Sequence, residues 1–341
     1  MISGINNLLT LGSKQLIGFS QLIPKFVPTT CMKRIIVFLI IIICALPFSQ
    51  NGYSQAWRYY RHEVRLGFGA SNFLGELGGA NNIGTNRMKD LEFAMTRPAV
   101  DVMYAYKINP SFKARTHLLY GRLNGDDALT SERFRNNRNL SFRSPVVELA
   151  FMVEYYPLTE KLGHIYALRG VKAKKKLKYL APYISTGIAG FWFNPRAKYP
   201  VDGKYYSLHK LGTEGQGLPG GAPSYKRISL CIPSGIGVNY MMNKYLSIGF
   251  EIGGRLTFTD YIDDVSTVYY NNAAIQSARG DVAAYFADPS KQDAQLIADA
   301  GGNPTRPGLQ RGDKSDNDSY MFAIFRVNYR FLKGRFVLPK F

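Results

Sequence analysis

The sequence has no apolar run of membrane-spanning length after Leu46, so no later segment can cross a bilayer as a helix, which needs about 20 such residues. Cysteine is scarce: Cys31, Cys44 and Cys231 are the only thiols in 341 residues. The first two lie in a segment expected to be removed, which leaves Cys231 without an internal partner and excludes a disulfide framework. Histidine is scarce too. His62, His117, His164 and His209 share no spacing with a serine nucleophile and none suited to zinc, and the glycine pairs lack the strand-to-helix context of a phosphate loop. Neither an enzyme nor a cofactor is therefore expected. Acidic residues are also few, 24 against 43 Lys and Arg, giving a net charge of +19. Such an excess can indicate nucleic acid. The secretion signal described next argues against that, and favours anionic lipopolysaccharide or an acidic protein as the partner.

Near the start, Met32-Lys33-Arg34 precedes the apolar run 35–46, then Pro47 and the small-residue site Gly52-Tyr53-Ser54. This is the order of a secretory signal peptide over 32–54, with cleavage after Ser54 and Gln55 as the mature N-terminus. Residues 1–31 read as an upstream extension, with Met32 the simplest start. Cys44 is flanked by Ile43 rather than the small residue of a lipoprotein box, so lipidation is not expected.

Beyond the signal the pattern is alternation at period two, apolar against polar, in the segments 62–73, 98–108, 111–123, 145–158, 180–193, 228–240, 245–258 and 320–331. Each is about as long as the 9–11 residues with which a tilted strand crosses a bilayer. The predicted fold is all-β: a transmembrane antiparallel up-and-down barrel of eight strands, an even count that closes the sheet without edges. The last segment shows it well, with Phe325, Val327, Tyr329 and Phe331 against Arg326, Asn328 and Arg330. Its aromatic character resembles the C-terminal insertion signal of outer-membrane barrels, here followed by the tail 332–341. Outer-membrane barrels keep short turns inside and long loops outside. The connections 74–97, 124–144, 194–227 and 259–319 are accordingly expected to be external, and those at Asn109-Pro110 and 241–244 to be tight turns. The connection 159–179 breaks the rule, being long and carrying Lys172, Lys174, Lys175, Lys176 and Lys178, which reads as a partner-binding periplasmic surface. Within the last external connection, 281–300 is compatible with a helix and 301–318 is expected to be mobile. Pro98, Pro145 and Pro182 fall near expected strand ends, whereas Pro233 lies deeper and predicts a bulge or bend.

The inward set carries charges of both signs: Arg65, Asp101, Lys107, Arg115, Glu148, Glu154, Glu251 and Arg255. An eight-stranded barrel has a lumen that side chains just fill, so these are expected to pair with one another rather than line a pore. Two loop strings stand out, Leu211-Gly212-Thr213-Glu214-Gly215-Gln216-Gly217 and Phe258-Thr259-Asp260-Tyr261-Ile262-Asp263-Asp264-Val265-Ser266. Asp260, Asp263 and Asp264 have the oxygen chemistry of a hard-cation site. A polar turn with Asp caps is the simpler account, and no metal is expected.

With the stretch Phe73-Leu74-Gly75-Glu76-Leu77-Gly78-Gly79, these strings resemble the Bacteroidetes outer-membrane barrel family that includes PorG, a component of the type IX secretion machinery. The resemblance implies a non-enzymatic barrel in the outer membrane, among its lipid and lipopolysaccharide, that organises a secretion complex. It also implies contact with a periplasmic ring built of a lipoprotein and a partner protein. A stand-alone structural or adhesive barrel is the alternative, and a lipid-modifying barrel enzyme the third reading.

Overall fold

The computed structural model describes residues 55–75, 77, 93–158, 160 and 179–331. The extension 1–31, the signal peptide 32–54, the lysines Lys172 to Lys178 and the tail 332–341 lie outside the described residues. Strands β1 (His62–Leu74), β2 (Arg97–Lys107), β3 (Phe112–Asp126), β4 (Ser141–Tyr155), β5 (Leu180–Phe193), β8 (Ile228–Met241), β9 (Leu246–Thr257) and β10 (Ser319–Phe331) form the wall. All neighbours are antiparallel, β1 pairs with β10, and β3 pairs with β4, so the eight strands close on themselves. A short hairpin of β6 (Arg196–Lys198) and β7 (Tyr205–Ser207) extends the sheet beyond β5 along the start of β4.

The two faces of the wall invert the arrangement of a water-soluble protein. Phe68, Ile188 and Phe325 are 66–69% exposed on the outside, whereas Arg65 and Glu148 inside are fully buried. On β4, Val147, Leu149, Phe151 and Val153 point out while Val146, Glu148, Ala150, Met152 and Glu154 point in. That alternation satisfies a hydrocarbon exterior and a polar interior at once, and closure leaves no open sheet edge facing lipid. The protein is an integral outer-membrane barrel.

Its ends differ. At one end two turns are minimal: Asn109 Oδ1 accepts the N–H groups of Ser111 and Phe112 between β2 and β3, and Asn243 Oδ1 accepts those of Tyr245 and Leu246 between β8 and β9. Asparagine mimics a backbone turn in this way. At the other end long connections fold over the mouth, among them helices Arg133–Arg138, Asn272–Arg279, Asp281–Ala287 and Ala294–Asp299.

Three expectations need correction. No bulge forms at Pro233: the pairing of β8 with β9 runs through it, and that with β5 lapses between Thr186↔Ser234 and Ala189↔Cys231 but resumes in unchanged register. A missing N–H donor interrupts one ladder locally without requiring an extra residue. Pro145 lies inside β4, opposite Arg122, because β3 and β4 extend further at the long-loop end than the apolar alternation suggests. The stretch 301–318 is also tied down, since Gln310 bridges to Val268 and Arg311 is buried.

Candidate functional site

The lumen is built in layers. Nearest the short turns, Lys113 Nζ lies 2.9 Å from Glu63 and 2.7 Å from Glu160, Lys107 lies 3.0 Å from Glu160, and Arg330 lies 3.2 Å from both carboxylates. Above this, Arg65 grips Glu154 with both ends of its guanidinium at 2.5 and 2.9 Å. Arg115 donates to Glu154 at 2.7 Å and forks onto Glu251 at 2.6 and 2.7 Å. Arg326 links Glu251 at 2.8 Å to Asp101 at 2.7 Å. In the third layer Arg255 Nε lies 3.1 Å from Glu148, which also accepts from Tyr320 at 2.9 Å and sits 2.9 Å from His117 Nε2. Phe191, Phe193, Phe322, Leu119, Leu123 and Phe142 then close the column with an apolar plug. Forked, charge-assisted contacts of this kind offset the desolvation of buried ions only when each ion is partnered.

The structure places all eight of the inward charges singled out as ion pairs in the lumen, each against an opposite charge. Period two also marked Arg326 and Arg330 as polar positions, but not their partners. Glu160 was missed because it follows β4, in a connection with no alternation to place it. Glu63 and Lys113, on the inward face of β1 and β3, complete that lowest layer.

At the long-loop end the two loop strings, apart in sequence, meet. Glu214 accepts the N–H groups of Ser266 at 2.9 Å and Thr267 at 3.1 Å, the Thr267 hydroxyl at 2.6 Å and the Arg311 guanidinium at 3.0 Å. Asp264 accepts from the Thr213 hydroxyl and the Tyr225 phenol, each at 2.5 Å. Arg311 also donates to the Asp264 carbonyl at 2.7 Å, and its own carbonyl accepts from Arg138 at 2.8 Å, so the β3–β4, β5–β8 and β9–β10 connections are fastened at one point. The Tyr225 ring stacks on Tyr261 with centroids 4.3 Å apart. Leu211 ends the short helix Leu208–Leu211, and Gly212 caps it at φ +60. A Cβ there would strike Arg279, whose guanidinium donates to the carbonyls of Leu211, Gly212 and Gln216. Gly215 also has a positive φ, +73.

Burial pushes the Asp264 carboxyl up to about 6, with Arg311 and the two hydroxyl donors opposing that rise. Asp264 itself adopts φ +71, a left-handed conformation that Asp tolerates better than most residues. Asp263 Oδ1 accepts the Val265 N–H at 3.0 Å, and Asp260 is buried nearby in sequence. Asp263 Oδ1 and both Asp264 oxygens thus go to turn and cross-loop contacts, and among the described residues no three His, Cys, Asp or Glu side chains converge as metal ligands would. His117 faces Glu148 in the lumen, His62 lies 2.6 Å from the Tyr104 hydroxyl, and His209 contacts the Tyr225 carbonyl. His164 lies outside the described residues.

Solved structures with a similar fold include Ail, the attachment invasion locus protein of Yersinia pestis, in complex with the heparin analogue sucrose octasulfate (8% identity, covering 80% of this chain and 99% of that one, TM-score 0.34). Neisserial surface protein A matches at 7% identity over 79% and 97% (TM-score 0.34), and a major outer membrane protein of Thermus thermophilus at 12% over 79% and 99% (TM-score 0.33). No curated protein matches the chain. Residues 33–280 match the model of a domain of unknown function, DUF6089, and the chain belongs to that family.

Proposed function

We propose that this protein is a non-enzymatic outer-membrane barrel that anchors or organises a protein secretion complex of the type IX kind through periplasmic contacts. The observation that carries the reading is the filled lumen. Interlocked ion pairs and an apolar plug occupy it from one end to the other, so the working surfaces are those at the two mouths. With short turns inside and long loops outside, the folded cap faces the exterior and the connection after β4 faces the periplasm. Two-residue turns suffice to join antiparallel strands, so a connection of that length has room for a contact. Glu160, held by Lys107, Lys113 and Arg330, fixes where it leaves the barrel. Its lysines, weak singly, steer an acidic partner as a cluster, and the sequence resemblance suggests that the partner is a ring of a lipoprotein and a second protein.

Replacing Lys174, Lys175, Lys176 and Lys178 by Gln is expected to leave heat-resistant gel migration intact and to abolish co-isolation of periplasmic proteins from native membranes. A barrel whose 159–179 connection is cut to a few residues, yet which folds, retains its partner and supports secretion, refutes this assignment. The stand-alone adhesive reading draws on the cap fastened by Glu214 and Arg311. It requires that deletion of the gene leave secretion unchanged.

A further inference from the structure

The charges of the lumen are paired within the protein, but a cluster on the outer face of the wall is not. Where β4 meets β6, Arg143 stands directly opposite Arg196, and like charges facing each other across an antiparallel pair are destabilising. Lys198, opposite Tyr205, lies on the same face as Arg196, since Ala197 between them is buried. The Arg143 guanidinium sits 5.3 Å over the Tyr205 ring. These residues border a polar cavity of about 210 Å³, whose lining also includes Arg97, opposite the buried Ser71 and already donating to the carbonyls of Ala94 at 3.0 Å and Thr96 at 2.8 Å. Asp126 also lines it, but its carboxylate caps the Ala128 N–H at 2.9 Å. Among the described residues no acid forms an ion pair with Arg143, Arg196 or Lys198, and the Arg196 guanidinium lies 2.9 and 3.0 Å from the neutral Asn194 amide.

The height of the cluster points to its ligand. Along β4 from the Tyr155 ring, at about 3.3 Å per residue and a tilt of about 40°, Arg143 stands roughly 30 Å up, just above an apolar band of about 25 Å. Trp192, near the end of β5, lies just below Arg196 and marks the interface where such rings settle. Three cations at the level of outer-leaflet headgroups meet phosphate before any other anion, and guanidinium forks match phosphate oxygens in pairs.

We propose that Arg143, Arg196 and Lys198 form a site for the phosphate groups of an outer-leaflet glycolipid, whose anion supplies the charge that the opposed arginines lack. The site rests on the outer-membrane placement with long loops outside, and is independent of the secretion reading. Full-length protein in phosphatidylcholine nanodiscs would be given bis-phosphorylated lipid A, its dephosphorylated form, or inorganic phosphate, and bound lipid counted by native mass spectrometry. Wild type is expected to retain the bis-phosphorylated lipid at least about tenfold better than the Arg143→Gln, Arg196→Gln double variant, the scale of losing charged hydrogen bonds. Dephosphorylated lipid should not discriminate between the two proteins, and inorganic phosphate should not displace the lipid. Should the double variant fail to fold, Lys198→Gln on the exposed hairpin should show a smaller loss in the same direction. Equal retention by wild type and a folded variant overturns the proposal. So does displacement by inorganic phosphate, which would make this a free-anion site.

Discussion

Replacing Glu251 by Gln removes one negative charge from the centre of the lumen while keeping its shape. Glu251 is 3% exposed and accepts from Arg115 at 2.6 and 2.7 Å, Arg326 at 2.8 Å and Tyr183 at 2.7 Å. Breaking a buried ion pair from one side costs roughly 3–5 kcal/mol, because the remaining charge is stranded. Here Arg115 keeps Glu154 and Arg326 keeps Asp101, so the loss should fall near the lower end, about 3 kcal/mol. The exposed pair Arg133–Asp299, 3.2 Å apart with side chains 54% and 49% accessible, supplies the control. Arg133→Gln should cost less than about 1 kcal/mol. Both variants would be refolded in detergent and titrated with urea, the midpoint shift being read against wild type. Equal shifts would mean that water screens the lumen charges, and the reasoning from a dry, interlocked interior would fail.

The cap should respond to pH through Asp264. Its folded pKa of about 6 lies above the ordinary Asp value, so the folded cap holds a proton that the unfolded one has released. That contribution is complete below pH ~4 and disappears as pH rises through about 6, on the order of 3 kcal/mol for a rise of that size. Hydrogen exchange across 261–268, corrected for intrinsic rates, should therefore be faster at about pH 7.5 than at about pH 5, and Asp264→Asn should flatten the difference. Glu214→Ala strips Arg311 and the Ser266 and Thr267 amides of their acceptor; trypsin should then cut 301–318 faster while the barrel stays heat-resistant. Gly67→Ala would drive a Cβ into the Asp101 carboxylate and Ile324, lowering stability by about 1–3 kcal/mol, measured by urea midpoint.

What the sequence made legible was set by what repeats. Lipid outside and side chains inside impose period two on every strand, which is why the faces of β1, β4 and β9 can be read residue by residue. Which inward charge meets which is a different matter: Arg326 and Asp101 are 225 positions apart, and only the order and tilt of the closed sheet juxtapose them. Glu160 carried no periodic signal at all. The polar composition of 301–318 suggested a mobile segment because composition does not reveal that one residue, Arg311, is buried against Glu214. Pro233 suggested a bulge or a bend, and the unchanged register excludes the bulge, because the lost donor only makes one ladder lapse. The two loop strings were visible as unusual, while their meeting through Thr213 and Asp264 depends on how three connections fold over one mouth.

The proposed secretion role depends on side chains filling the barrel, which leaves its two mouths to carry periplasmic and external contacts. Single-channel recording of the purified wild-type protein in a planar bilayer tests that filling most directly. Correct insertion would be established beforehand by heat-modifiable migration. A filled lumen predicts a baseline without stable open levels across the voltage range. A persistent, ohmic, salt-dependent conductance from the folded protein would show a continuous water path through the layers of Glu63, Arg115 and Glu148, and would contradict it.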